Sequence, residues 1–463
     1  MPGGIPIRRI ASWLVRDGHR HPVDDPARVA SERRSLSRWN RFFHTADGVA
    51  YWAGINAVSY NTVVPLFVSK LTDSPLLIGL VAVFSQAGWY VPQLFSAAAT
   101  ERRIYKRPIA VRFGYMVERA PALAWPLAAL LSVSRPDLGL ALFMITFGLH
   151  FVGAGLIAPA WQDLIAHTFP PRERGRFFGM TTFLGTSLGA LGGLAASRVL
   201  GAFAFPVDFA IAFGFAAVCV QLSWVFLALT REPVRLAPHV DDNSPVTDLT
   251  GSPSIGPSRP IARRAATGGS LRATLEIIRR DPGFARFLVV RTLMGFGTMG
   301  FGFVAVHTTR AFGAADATVA IFTVFLLIGE AGGNISSGAI ADRFGHRLPL
   351  ILGVGSVTAA FVIARFAGTV DWFYLAFLLM GVAVGAGRVS AMMIAIEFAP
   401  EGRTPSYAGI TNTLAGFGGL IAPLIGGAIA ASSYPLLFLV TAAINLTAWF
   451  GLVFLVRDPR GRG

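Results

Sequence analysis

The chain has 463 residues, 53% of them hydrophobic and only 14% charged, with a mean hydropathy of +0.57. That little charge cannot cover a soluble protein of this size, so lipid must be part of the solvent. The formal net charge is +15 and is almost all arginine, with lysine at Lys70 and Lys106. These arginines fall in short stretches between apolar runs, which argues for membrane orientation and against nucleic-acid binding. A single cysteine, Cys219, lies in an apolar run and excludes an intrachain disulfide or cysteine metal site.

Residues 1–41 read as a basic cytoplasmic tail holding Arg8, Arg9, Arg16, Arg20, Arg28, Arg33, Arg34, Arg38 and Arg41. The tail has no apolar core segment, so a cleaved signal peptide is not expected and the first span should insert and stay. A short amphipathic helix around Ile10, Trp13 and Leu14 is one option there, and a disordered basic tail near anionic lipid is the other.

Crossing about 30 Å of hydrocarbon takes roughly 20 apolar residues. Six such segments are predicted at 43–69, 75–98, 108–133, 137–163, 175–201 and 206–230. Six more follow at 284–309, 316–340, 347–368, 371–397, 404–430 and 434–456. Helix breaks such as Asp73-Ser74-Pro75 and Arg135-Pro136-Asp137 separate them. Residues 231–283, rich in Pro, Ser, Gly and Asp and then basic, read as a cytoplasmic linker between a bundle at 42–230 and a second at 284–463. Within it Leu271–Ile278 could form a short surface helix.

Basic residues mark alternate loops: Arg102, Arg103, Lys106 and Arg107 after the second span, Arg172, Arg174 and Arg176 after the fourth, then the linker and the tail at Arg457, Arg460 and Arg462. By the positive-inside rule both termini are cytoplasmic and the span count is even.

The halves repeat. Phe169-Pro170-Pro171-Arg172-Glu173-Arg174 with Gly179 matches Phe398-Ala399-Pro400-Glu401-Gly402-Arg403 with Gly409, and Gly189 aligns with Gly419. Ala97 to Lys106 likewise matches Gly338 to Arg347, setting Glu101-Arg102 against Asp342-Arg343. Repeated halves with a midplane site between them are a design of secondary transporters.

The stretch Gly338-Ala339-Ile340-Ala341-Asp342-Arg343-Phe344-Gly345-His346-Arg347 resembles the loop signature G-x-x-x-D-R-x-G-x-R of the major facilitator superfamily. The copy after the second span is degenerate, with Ala97 and Ile104 replacing the glycines. The resemblance covers residues 42–456. It implies an all-α transmembrane fold of twelve helices, two six-helix bundles around a central cavity, with spans 1, 4, 7 and 10 lining it. It also implies a gating role for Gly338, Asp342, Arg343, Gly345 and Arg347, and for Glu101 and Arg102, with Asp342 locking the cytoplasmic face when the cavity opens outward. Gly338 should let two helices approach closely. In span 11, Gly419 to Gly427 with Pro423 resembles an antiporter signature that the superfamily carries in span 5, but span 5 lacks the proline; close packing with a bend at Pro423 is the better reading.

An ionisable group at bilayer depth is a functional candidate by default. At 1.5 Å per residue, Glu330 lies about 18 Å and Arg388 about 14 Å from the cytoplasmic ends of their spans. They could bind substrate or a proton, or form a buried ion pair with each other. His150, Asn56, Tyr60, Gln86 and Tyr90 complete the candidate substrate- or ion-binding set. His150 could instead be satisfied by a neighbouring helix. Asp47 and Arg291 could pair as a gate or simply be end groups. Glu118 and Arg119 read as structural, and His307 and Arg310 as solvated.

No phosphate loop, zinc motif or nucleophile elbow occurs, so neither an enzyme nor ATP-driven transport is expected, nor any cofactor. The expectation is a monomeric multi-pass transporter of the plasma membrane, working on a small-molecule substrate by alternating access, with protons as a candidate coupling ion. Export of an organic or amphipathic solute comes first and nutrient uptake second. The alternative of another class is a non-transporting membrane sensor or partner protein.

Overall fold

The computed structural model describes residues 21–237, 271–400 and 404–456. The expected helix near Ile10, most of the linker, Arg403 and the C-terminal arginines lie outside these residues. The described residues are helical almost throughout, and their one β feature is a parallel bridge between Val23 and Leu236. Eleven stretches are long and apolar enough to cross a membrane. Span 1 makes the twelfth. It is split into Pro26–Ala57, which is long enough but too polar, and Val63–Leu71, which is apolar but only nine residues long. Pro65 explains the break: it has no N–H to give, and its ring clashes with the carbonyl four residues back.

The other spans are Pro75–Glu101, Ile109–Ser134, Pro136–Thr168, Pro171–Ala202 and Val207–Leu229 in the first half. The second half has Pro282–Phe296 with Phe301–Phe312, Asp316–Phe344, Arg347–Phe366, Asp371–Glu397, Thr404–Ser432 and Tyr434–Leu455. Span 7 is thus broken like span 1. Here the cause is glycine: a Cβ on Gly297 would stand 2.1 Å from Asn445 Oδ1, and one on Gly300 would meet the Phe361 ring at 2.6 Å. Span 3 opens in two π-helical stretches, Ile109–Phe113 and Tyr115–Arg119.

Span 1 begins well inside the stretch expected to be a tail. Asp25 caps it, accepting from Ala27 N at 2.8 Å, with Pro26 at the first helical position. Its polar start is held against the chain leaving span 6: Trp39 Nε1 donates to Leu229 O at 2.8 Å, and Asn40 exchanges two bonds with the Arg231 backbone at 2.7 and 2.8 Å. In the linker, Leu271–Arg280 is helical, so of the two options for this stretch the helix is the one formed.

The loop signature acts partly as a helix stop. Gly345 has φ 79° and ψ 167°, a conformation in which an L side chain is strained by about 1–3 kcal/mol. Arg347 then donates to the last carbonyls of span 12, Leu452 at 2.9 Å from Nε and also Val453. In the first half this task falls to Arg107, whose Nε and Nη2 reach Thr230 O at 2.9 Å and Ala228 O at 2.7 Å. The structural repeat therefore pairs Arg107, not Lys106, with Arg347: the first loop is one residue longer. Lys106 instead turns back onto the carbonyls of Thr100 and Arg103. Burial pulls its ammonium below the usual lysine range, against the attraction of Asp163.

The two bundles are joined on one side only. Away from the basic loops, one continuous apolar core runs through both, from Phe67, Phe143 and Phe213 to Phe303, Phe322 and Phe377. Toward the basic face the cores separate, one around Phe284, Phe287 and Phe398, others around Leu164 and around Phe169 with Phe177. Span 11 lies on span 2 through its small residues: a Cβ on Gly79 would come 2.7 Å from Pro423 O, one on Gly419 2.8 Å from Gln86 Cβ and one on Gly427 2.9 Å from Pro75 O. The glycine–proline run thus serves close packing across the bundle interface. On the basic side Gly179, Gly338 and Gly409 face nothing within 4 Å, and Phe95 and Phe344 are exposed.

The tightest contact is between spans 8 and 10. A Cβ on Gly381 would sit 2.0 Å from Leu326 O, and one on Gly385 2.3 Å from Glu330 O. Gly381→Ala is expected to force these helices apart and destabilise by at least about 1–3 kcal/mol. Gly332→Ala, where nothing stands within 4 Å, should be neutral. Thermal unfolding in detergent compares the two; equal midpoints would refute the packing argument.

Candidate functional site

The space between the bundles is polar at its centre. Arg388 Nη2 on span 10 bonds Glu330 Oε1 on span 8 at 2.9 Å; the glutamate side chain is 7% exposed and the arginine 39%. The spacing of Gly381 and Gly385 lets the two helices approach closely enough for this pair to form. The guanidinium carbon also lies 5.5 Å from the centroid of the Trp52 ring on span 1, in the opposite bundle, a cation–π distance. Tyr60, in the break of span 1, has Arg388, Glu330 and Tyr90 as its electrostatic neighbours. Four expected residues are thereby gathered in one place, and Trp52 joins them. As an apolar ring on an apolar helix it carried no sequence signal.

The remaining candidates separate. Asn56 packs its Cβ against span 5 at Gly189, and Gln86 faces Gly419 of span 11. His150 does not reach the cavity: it is 0% exposed. Its Nδ1 is 2.8 Å from Glu118 O and its Nε2 3.4 Å from Tyr51 Oη. The ring stacks on Tyr51 at 5.9 Å.

That histidine belongs to a polar network inside the first bundle. Ser223 Oγ donates to Asp47 Oδ1 at 2.6 Å, Arg119 Nη2 lies 4.0 Å from the same oxygen, and Arg119 Nη1 contacts Glu118. All three charged side chains are at most 5% exposed. Asp47 is therefore paired within its own bundle and does not face Arg291. Glu118 and Arg119 are structural in position, as expected, but joined to Asp47.

Of the gating set, Glu101, Arg102, Asp342 and Arg343 are exposed at the basic face. Among the described residues nothing stands within 4 Å of a Cβ on Gly338, so the close approach expected there is not made in this structure. Gly345 and Arg347 are held within the second bundle, as described above.

The closed side has a latch that the sequence did not signal. Lys70 Nζ bonds Asp316 Oδ2 at 2.7 Å, Arg310 Nη2 bonds Asp73 Oδ1 at 3.1 Å, and Thr62 and Thr323 hydroxyls meet at 2.5 Å. Each joins one bundle to the other. Arg310 is therefore a partner to the first bundle and not only a solvated end. His307 stacks on Tyr434 at 5.7 Å.

The sequence model of the Major Facilitator Superfamily matches residues 287–463. The 4-hydroxybenzoate transporter PcaK of Pseudomonas putida is 32% identical over 145 residues, 30% of this chain and 32% of that protein. The class B tetracycline resistance protein of Escherichia coli is 27% identical over 123 residues, 27% of this chain and 30% of that one. The matched segment thus spans about a third of the length of these curated relatives. Among solved structures, a D-xylose–proton symporter covers 92% of this chain and 99% of its own at 14% identity and a TM-score of 0.66. A bacterial homologue of the iron transporter ferroportin in an inward-facing state covers 90% and 98% at 12% identity and a TM-score of 0.63. The fold is common to nearly the whole chain, and residues 287–463, the half that keeps the intact loop signature, match the superfamily's sequence model.

Proposed function

We propose that this chain is a secondary transporter that carries a small organic solute across the plasma membrane by alternating access, held here with its cavity open to the cytoplasm. The observation that carries the proposal is the asymmetry of closure. The polar centre at Glu330, Arg388, Trp52 and Tyr60 is sealed on one side by cross-bundle contacts and reachable from the other. The basic loops support placing the open face and both termini on the cytoplasmic side. Glu330 is the candidate to exchange a proton with the gradient, and a rocking motion about the centre would bring Asp342 and Gly338 against the first bundle. Export is the first direction to test and uptake the second.

Flux in proteoliposomes over a panel of organic solutes, with a pH gradient imposed in either direction, tests this reading. Flux that follows the gradient supports it and gives the direction. Absence of flux for every solute, in protein that is folded and inserted, overturns it in favour of a sensor or partner protein.

The latch makes a separate prediction. Lys70–Asp316 is partly exposed, so it holds the closed side by at most about 1 kcal/mol, or roughly fivefold in population. Asp316→Asn should shift spin-label distances between the bundles toward the opposite opening by up to that factor. An unchanged distribution would remove the ion pair from the gate.

A further inference from the structure

Span 7 places a second arginine near the cavity, and it has no counter-charge. Arg291 is half-buried, its Nε is buried without a hydrogen-bond partner, and among the described residues no carboxylate pairs with it. Among the described residues, Tyr90 of the opposite bundle is its titratable neighbour. The other arginine on this face, Arg388, is already matched by Glu330, so among the described residues Arg291 is left without a matching carboxylate. A guanidinium held out of water is costly unless paired, and this one is left for a ligand.

Arg291 also borders a cavity of about 160 Å³ inside the second bundle, between spans 7, 9, 10 and 12. The walls are mainly apolar, with Met294, Phe301, Val354 and Val357 among them, and Thr298 and Asn445 supply polar atoms. A cavity of roughly 150 Å³ holds one benzene-sized ring. Gly297, whose lack of a side chain makes room for Asn445, and Gly387, which faces open space, also border it.

We propose that Arg291 and this cavity form a binding seat for a small organic monocarboxylate, the carboxylate on the guanidinium and a single ring or compact apolar body in the cavity. The proposal rests on the transport reading and names its substrate class. Arg291 offers two parallel N–H donors to the carboxylate, and the ligand's charge offsets that of the guanidinium. The Glu330–Arg388 pair stays intact beside it.

The test compares benzoate, benzamide and benzylammonium, three ligands of one ring size and different charge, on the purified full chain. Benzoate alone is expected to raise the thermal midpoint of the wild type and to compete for flux. Arg291→Gln should weaken benzoate at least tenfold, while Arg291→Lys, which keeps the charge but loses the bidentate fork, should retain part of the affinity. Benzoate that binds no better than benzamide, or that binds Arg291→Gln as well as the wild type, overturns the seat. If benzylammonium or a neutral solute is transported while benzoate is not, the seat fails and alternating access stands. If benzoate stabilises the protein through Arg291 but no solute crosses the bilayer, the seat stands and the transport reading fails.

Discussion

Arg388→Ala is expected to abolish transport and to destabilise the protein by roughly 2–3 kcal/mol. Removing one partner of a buried ion pair costs about 3–5 kcal/mol, because the other charge is left without compensation. The figure is reduced here because Arg388 is 39% exposed and water screens it in part, whereas Glu330 is 7% exposed and bears the loss. The Trp52 contact is lost as well, for about 0.5–1 kcal/mol. Glu330→Gln leaves Arg388 with its partial exposure and its ring contact, so it should be milder in stability. The double variant Glu330→Gln with Arg388→Gln should recover much of the loss. A double-mutant cycle on thermal stability measures the coupling, expected at about 1–3 kcal/mol. A coupling near zero would mean that the pair does not hold the folded state.

Arg119→Leu should be more damaging still, with a loss of about 3–5 kcal/mol and poor yield of folded protein. Asp47 and Glu118 are 4% and 3% exposed and share this one guanidinium. Without it two carboxylates face the interior of the first bundle with Ser223, Tyr51 and His150 as their polar surroundings. Converting both acids to amides in the same background, Asp47→Asn with Glu118→Gln, removes the charges and should restore much of the yield. Detergent stability and size-exclusion profiles read both effects. Failure of the amide pair to restore anything would show that Arg119 acts by packing and not by charge.

Much of the site was legible because charge is rare in apolar helices. Glu330 and Arg388 stand out in their spans, and both readings offered for them, ion pair or ligand groups, required proximity. The 2.9 Å bond supplies it, and the exposure of the arginine leaves it able to meet a solute. His150 stood out for the same reason but turned to the bundle interior, since helical periodicity cannot say which of two polar surroundings a face meets. Arg291 was visible only as one half of a gate pair with Asp47 or as an end group. Its lack of a partner is a property of the assembled bundles, and so is the latch, whose residues sit at helix ends where charge is ordinary.

The sequence by itself determined the spans, their alternating basic loops and the resemblance of the second half to the superfamily. These depend on transfer free energies and backbone preferences that act residue by residue. The tertiary structure decided the one-residue offset that gives Arg107 the task of Arg347, the union of Asp47 with Arg119, and the side on which the bundles are joined. Each depends on how a helix is rotated and which distant helix it meets: Ser223 and Asp47 are 176 residues apart, and Thr62 and Thr323 are 261 apart. Hydropathy fixes a helix along the membrane normal but leaves its neighbours open, and close contacts at small residues settle them.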